Sequence, residues 1–124
     1  MLDEFMHLMW ERDPDLPGHG SRVASFAVPL GRHLGLGRES LRRLHISAQL
    51  HDIGKTRIDA AVVAKPGPLD AEEWVEIYRH PLEGFRIVDG LVHPGIAETV
   101  LAHHERYDGL GYPDGLRKKK IPLV

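Results

Sequence analysis

The spacing of apolar residues is the sequence feature that most restricts the fold. Apolar side chains recur every three or four positions along most of the 124 residues, and no stretch alternates apolar and polar residues as a half-buried strand does. We therefore predict an all-α fold, a bundle of about five to six helices. A chain of this length forms one core, so residues 1–124 are expected to be a single domain.

Proline, glycine and capping residues indicate where the helices begin and end. Gly54 is a stop signal, and Asp70 with Glu73 has the spacing of a capping box. The predicted helices cover residues 2–12, 18–35 with a kink at Pro29, 39–53, 70–79, 81–88 and 94–105. The tail 107–120 is rich in Gly, Pro and Asp and is predicted to be an irregular loop.

Composition excludes several classes of protein. Sixteen Lys and Arg against eighteen Asp and Glu give a net charge of -2, without the basic footprint of a duplex-binding protein. The longest apolar run, 23–30, is shorter than the ~20 residues of a membrane span, and the N-terminus lacks the pattern of a secretory signal. The absence of cysteine excludes disulfides and thiolate metal sites. We expect a soluble, cytoplasmic protein.

Nine histidines are the unusual part of the composition, because neutral imidazole is a common ligand of transition metals. His19, His51-Asp52, His80 and His103-His104 all fall at predicted helix ends or bends. The tips of four helices can converge on one pocket. Five imidazoles and one carboxylate suit Fe, Mn, Ni or Zn better than Ca or Mg, and Asp52 is the candidate to bridge two cations. Taken alone, a His-Asp pair is more often solvated at the protein surface or part of a hydrogen bond at a helix end.

Longer motifs resemble the HD-GYP family, a branch of the HD-domain phosphohydrolases. The matching motifs are Gly18-His19, His51-Asp52-Ile53-Gly54-Lys55, Lys65-Pro66-Gly67, His80-Pro81, His103-His104-Glu105-Arg106-Tyr107-Asp108-Gly109 and Gly111-Tyr112-Pro113-Asp114-Gly115-Leu116. The resemblance extends over roughly residues 12 to 123. It implies a helical bundle of the HD-domain type that hydrolyses cyclic di-GMP to linear pGpG or GMP by metal-activated hydroxide.

The resemblance also implies roles for individual residues. The implied metal ligands are His19, His51, Asp52, His80, His103 and His104, with Asp15 as a further candidate whose alternative role is a helix cap or a solvated carboxylate. Lys55 would contact a substrate phosphate and act with Asp52 in catalysis. Tyr112, Pro113 and Arg106 would contact the substrate. The remaining histidines match no ligand position and are assigned to the surface, the edge of the core or a helix start: His7, His33, His45 and His93.

The cofactors and partners implied by the resemblance are two or three divalent transition metals and a cyclic dinucleotide. Fe or Mn is expected before Ni or Zn. A diguanylate cyclase (GGDEF) domain and a second copy of the chain are candidate partners. The family pattern continues into a helix that supplies one more aspartate ligand, so the chain is expected to be truncated at Val124 and, as such, inactive or a poor metal binder.

Two other functions stay open at the level of sequence. The chain could hydrolyse another nucleotide, including a mixed cyclic dinucleotide, by the same chemistry. It could also be a non-catalytic module that binds a ligand or a cyclase domain through the loop at Tyr112. The complete set of ligand-type residues argues against the second of these.

Overall fold

The computed structural model describes all 124 residues and contains only helices, turns and loops. Six helices have eight residues or more, which confirms the predicted all-α bundle. The elements are α1 Leu2–Arg12, α2 Asp15–His33, α3 Arg38–Leu50, a 3₁₀ turn Ile53–Arg57, α4 Ala60–Val63, α5 Ala71–Tyr78, α6 His80–Val88, α7 Pro94–Ala102 and a 3₁₀ turn Lys118–Lys120. None of the helices is both long enough and apolar enough to cross a lipid bilayer.

Several predicted helix ends differ from the observed ones. The second helix begins at Asp15 rather than residue 18, and it continues through Pro29. The third helix ends at Leu50, where the chain changes to a 3₁₀ turn, and the last ends at Ala102 rather than residue 105. The one-turn helix α4 was not predicted, because four residues are too few to show a period. The capping box of Asp70 and Glu73 is present as predicted.

One apolar cluster forms the core and fixes the helices relative to one another. It joins side chains from α1, α2, α3, the first 3₁₀ turn, α6 and α7. Its buried members are Phe5, Met9, Leu16, Leu50, Ile53, Val88, Ile96, Ala97 and Val100. Helix α3 packs against both α2 and α7, and α6 packs against α7 and the first 3₁₀ turn. The C-terminal end of α3 is therefore surrounded by the other elements that carry the predicted ligands.

The first 3₁₀ turn lies directly against the start of α6, and Gly54 makes this contact. A Cβ atom at Gly54 would lie 1.8 Å from the backbone oxygen of His80 and 2.6 Å from the nitrogen of Gly84. Both neighbours are backbone atoms of a helix and cannot move aside. The missing side chain at this position allows the segment that follows Asp52 to approach His80.

We predict that Gly54→Ala destabilises the fold by at least ~3 kcal/mol, because overpacking against backbone forces two elements apart. Chemical denaturation monitored by circular dichroism would measure this loss. Gly18→Ala is the matched control, since its Cβ meets only the flexible end of the Arg22 side chain, 3.3 Å away, inside a helix that favours alanine. Equal stability of the two variants would contradict the proposed close packing.

Candidate metal centre

Four segments bring the six predicted ligands to one place. His51 follows the last residue of α3 and Asp52 precedes the first 3₁₀ turn, while His80 is the first residue of α6. His103 and His104 directly follow α7. His19 does not lie at a helix tip as predicted, because α2 begins earlier and His19 is its fifth residue. Its side chain still reaches the cluster from the side of the helix.

The carboxylate of Asp52 lies at the middle of the cluster, and its two oxygens face different ligands. Oδ2 lies 3.3 Å from Nε2 of His51 and 3.5 Å from Nε2 of His19. Oδ1 lies 3.2 Å from Nε2 of His80 and 3.7 Å from Nε2 of His103. The side chain of Asp52 is only 5% exposed. Asp52 therefore belongs to two groups of ligand atoms, His19–His51–Asp52 and Asp52–His80–His103–His104, each within 4.8 Å of one another.

Backbone carbonyl groups fix the tautomer of three of these histidines. Nδ1 of His51, His80 and His103 lies 2.7, 2.6 and 2.6 Å, respectively, from the backbone oxygen three residues earlier. A carbonyl oxygen only accepts, so each Nδ1 must carry the hydrogen and donate it. In the neutral ring, Nε2 then carries a lone pair that points toward the centre of the cluster. This is the arrangement by which proteins orient metal-binding imidazoles.

The lone pairs that point into the cluster make it favourable for a proton or a cation to bind there. Nε2 of His80 lies 3.1 Å from Nε2 of His103, and Nε2 of His19 lies 3.2 Å from Nε2 of His51. With Nδ1 carrying the hydrogen, neutral rings of His80 and His103 would place their Nε2 lone pairs against one another and against the carboxylate of Asp52. A proton or a cation between them removes the repulsion. The donor set of imidazole and carboxylate fits divalent transition metals, and two such ions would share Asp52.

The pKa values follow from burial and from these neighbours. Burial would raise the pKa of Asp52, but the close imidazoles of His103, His51 and His80 hold that pKa well below its usual range. Burial opposes the charged form of His51, yet the hydrogen bond with Asp52 and its negative charge raise the pKa of His51. Burial lowers the pKa of His103 and of His19. Burial, then the nearby His103 and His80, lowers the pKa of His104 to about 4.

A cleft of about 470 Å³ opens onto the cluster. It is lined by five of the ligand-type residues, by Lys55, and by a wall of small and apolar side chains from α2, α3 and α7: Val23, Ala27, Leu44, Ser47, Ala48 and Thr99. Nζ of Lys55 donates a hydrogen bond to Oδ2 of Asp52 at 2.9 Å. A cationic group thus lies at the edge of the cleft and beside the cluster.

The other predicted site residues lie around the cluster or away from it. The ring of Tyr112 stacks on the ring of His104, with centroids 4.8 Å apart. Pro113 is exposed, and Arg106 is exposed and pairs with Asp108 at 2.6 Å. Asp15 is exposed at the start of α2 and belongs to neither group of potential ligands.

Two residues beside the cluster were given no role by the sequence analysis. The ring of Tyr78 lies 4.5 Å from the ring of Tyr112. The carboxylate of Glu105 accepts hydrogen bonds from the backbone of Asp114 and Leu116. Both contacts are tertiary, and neither follows a periodic pattern in the sequence. Glu105 lies within a quoted motif, and its position directly after His104 is the signal that could have identified it.

Comparison with known proteins identifies the family. The profile of the HD domain family matches residues 5–124. The response regulator RpfG of Xanthomonas campestris, a cyclic di-GMP phosphodiesterase, is 40% identical over 90% of this chain and 30% of its own length. A cyclic di-GMP phosphodiesterase of Thermotoga maritima is 36% identical over 97% of this chain and 34% of its own length. The 3'3'-cGAMP-specific phosphodiesterase 3 of Vibrio cholerae is 35% identical over 100% of this chain and 27% of its own length.

The chain belongs to the HD domain family, and these relatives support the HD-GYP branch that the motifs indicated. It spans about a third or less of the length of each of these three relatives.

We predict that metal binding releases protons and weakens as the pH falls. The raised pKa of His51 means that its proton persists to a higher pH than in an ordinary histidine, so an arriving cation must displace it. Calorimetric titration with Mn²⁺ in buffers of different ionisation enthalpy would count the protons released at pH 6.5 and pH 8. More protons should be released at pH 6.5, and affinity that does not change with pH would contradict the prediction.

Proposed function

We propose that this chain is the catalytic part of a metal-dependent phosphodiesterase that hydrolyses a cyclic dinucleotide, with cyclic di-GMP as the principal substrate and pGpG or GMP as the product. The observation that carries the proposal is the buried carboxylate of Asp52, whose two oxygens face two separate groups of imidazoles. A carboxylate shared by two groups of ligands is what a two-cation centre requires. The relatives named as cyclic dinucleotide phosphodiesterases support the class of substrate.

In this proposal the six clustered residues His19, His51, Asp52, His80, His103 and His104 hold the cations. When bound, two divalent cations activate water as a nucleophile near neutral pH and neutralise charge on the phosphoryl oxygens. The protein keeps the imidazoles neutral and oriented through the carbonyl groups behind them. Fe or Mn is our first expectation for the metal, Ni or Zn our second. Asp15 is exposed and belongs to neither group of ligands, so it stays outside this set.

Lys55 is proposed to bind a substrate phosphate. Its ammonium group lies at the cleft and bonds to the same Asp52 oxygen that faces His19 and His51. If Asp52 holds a cation, Lys55 would lose this hydrogen bond and its ammonium group would be available to an anion in the cleft. There it would stabilise the negative charge that gathers on the phosphoryl oxygens during displacement. Tyr112, Pro113 and Arg106 are proposed to contact the rest of the substrate.

A 3'3'-cGAMP substrate is the second candidate, because one of the similar proteins is specific for that mixed dinucleotide. The centre itself acts on the phosphodiester group, which both substrates contain. We further propose that the domain acts in the cytoplasm. A diguanylate cyclase domain and a second copy of the chain are the proposed protein partners.

We predict that the purified full-length protein, loaded with Mn²⁺ or Fe²⁺ under anaerobic conditions, converts cyclic di-GMP to a linear product. Asp52→Asn should abolish turnover and bound metal together, because the amide removes the charge on which both groups of ligands depend. Chromatography of a panel containing cyclic di-GMP, 3'3'-cGAMP and linear nucleotides would measure turnover, and elemental analysis would measure metal. A metal-loaded protein that cleaves no cyclic dinucleotide would overturn the proposal and favour a binding module.

Lys55→Met is expected to lower kcat by about 10²–10³, the usual effect of removing one group that stabilises transition-state charge. Lys55→Arg should retain part of the activity, because it keeps the charge but changes its geometry. Both variants should bind the same amount of metal as the unmodified protein, which separates a substrate role from a role in the centre. Unchanged kcat in Lys55→Met would remove the lysine from the reaction.

A further inference from the structure

His104 differs from the three histidines whose ring orientation is fixed by a backbone carbonyl. Neither of its ring nitrogens forms a hydrogen bond within the protein, whereas Nδ1 of His51, His80 and His103 each donates to a carbonyl oxygen. His104 is also not part of a regular helix, because α7 ends at Ala102. Something other than a hydrogen bond must therefore hold this ring toward the cluster.

Aromatic rings surround His104 on several sides. Tyr112 stacks on it with ring centroids 4.8 Å apart and an interplanar angle of only 13°. His80 meets it edge-on at 5.0 Å and His103 lies tilted at 4.3 Å. Behind Tyr112, the ring of Tyr78 packs edge-on at 4.5 Å and itself stacks with Trp74. Helix α5 thus contacts Tyr112 through the ring of Tyr78.

The loop that carries Tyr112 is fastened to the segment that carries His104. Glu105 accepts a hydrogen bond from the backbone nitrogen of Asp114 at 2.7 Å and another from that of Leu116 at 2.9 Å. The nitrogen of Tyr112 donates to the backbone oxygen of His104 at 3.3 Å. A Cβ atom at Gly111 would lie 2.4 Å from the nitrogen of Arg106 and 2.5 Å from the oxygen of His104, so the two segments are in direct backbone contact.

We infer that Tyr112 and Glu105 are positioning residues for His104: Tyr112 orients the imidazole by stacking, and Glu105 holds the Tyr112 loop against it. This inference rests on the metal centre of the proposed function, and it gives Tyr112 a task that requires no substrate. A flat stack fixes the plane of the imidazole while leaving both of its nitrogens free. It therefore replaces the carbonyl group that the other three histidines use.

The consequence is selective, because His104 belongs to only one of the two groups of ligands. Loss of the stack should weaken the cation held by Asp52, His80, His103 and His104. The cation held by His19, His51 and Asp52 should remain. A general effect on the fold would instead weaken both.

The test compares Tyr112→Leu with Tyr112→Phe in calorimetric titrations with Mn²⁺, checked by elemental analysis. Tyr112→Leu removes the ring, and we expect about 10- to 100-fold weaker binding of one cation, the usual effect of losing a group that orients a ligand. Tyr112→Phe keeps the ring and loses only a hydroxyl that makes no hydrogen bond within the protein, so it should bind both cations normally. Normal binding of both cations by Tyr112→Leu would overturn the inference.

Two reference variants assign the weakened cation. His104→Gln should weaken the same cation as Tyr112→Leu, and the combined variant should lose no more than His104→Gln alone, because both act through one ring. His19→Gln should weaken the other cation, and its effect should add to that of Tyr112→Leu. Additivity with His104→Gln would show that Tyr112 acts elsewhere and would overturn the inference.

Glu105→Ala tests the same positioning without altering either ring. It should reproduce the selective weakening, whereas Glu98→Ala, which removes an exposed carboxylate from α7, should have no effect. Glu105→Ala also keeps the inference testable if Tyr112→Leu does not fold, as judged by circular dichroism. Normal binding of both cations by a folded Glu105→Ala would remove Glu105 from the inference.

A measurement without metal or substrate separates this inference from the proposed function. In the metal-free protein, the ring current of Tyr112 should shift the His104 ring protons in the NMR spectrum. Tyr112→Leu should abolish this shift and Tyr112→Phe should keep it. If the unmodified protein binds no cation, the proposed function fails, but these chemical shifts still report the stacking of Tyr112 on His104. An unchanged spectrum in Tyr112→Leu would overturn the positioning role itself.

Discussion

The buried carboxylate of Asp52 is the group on which the rest of the site depends. A charged carboxylate that is 5% exposed is costly to bury unless oppositely charged or hydrogen-bonding groups surround it. Lys55 is the only one of its partners that carries a permanent positive charge, and the imidazoles complete the shell. These partners come from α2, the end of α3, the first 3₁₀ turn, α6 and the turn after α7. The packing of these segments is therefore an electrostatic requirement as well as an apolar one.

The same shell explains why protons and cations are alternatives in this centre. Carbonyl groups force the Nε2 lone pairs of His51, His80 and His103 inward, toward one another and toward Asp52. Without cations, a proton on an inward-facing imidazole offsets this repulsion, and the hydrogen bond with Asp52 and its negative charge raise the pKa of His51 in spite of burial. His104 makes no close contact with the Asp52 carboxylate and is the exposed member of its group; partial burial and the nearby His103 and His80 lower its pKa to about 4, so it is neutral at neutral pH. Without cations, such a cluster lowers the stability of the folded protein, as functional sites commonly do.

The sequence was informative about residue types and helix periods, and less so about tertiary contacts. The six ligand-type residues could be chosen because imidazole and carboxylate chemistry and the motif spacing agree, and the structure gathers all six. His19 was chosen for the wrong local reason, since it lies on the side of α2 and the start of that helix could not be read past Pro17 and Gly18. The tasks of Glu105 and Tyr78 depend on a loop that folds back over nine or more residues. No local pattern encodes that return.

Reaction and selectivity have separate structural origins in a site of this kind. In the proposed reaction the cations and Lys55 would act on a phosphodiester, which is the same group in cyclic di-GMP and 3'3'-cGAMP, so the centre alone would not distinguish these substrates. The difference lies in one purine base. The apolar wall of Val23, Ala27 and Leu44 can bury either purine, and apolar contact separates such similar rings weakly. Strong discrimination needs polar groups that are left unpaired by the wrong base. Similar centres can therefore serve enzymes named for different dinucleotides, with the choice made by a few polar contacts outside the cluster.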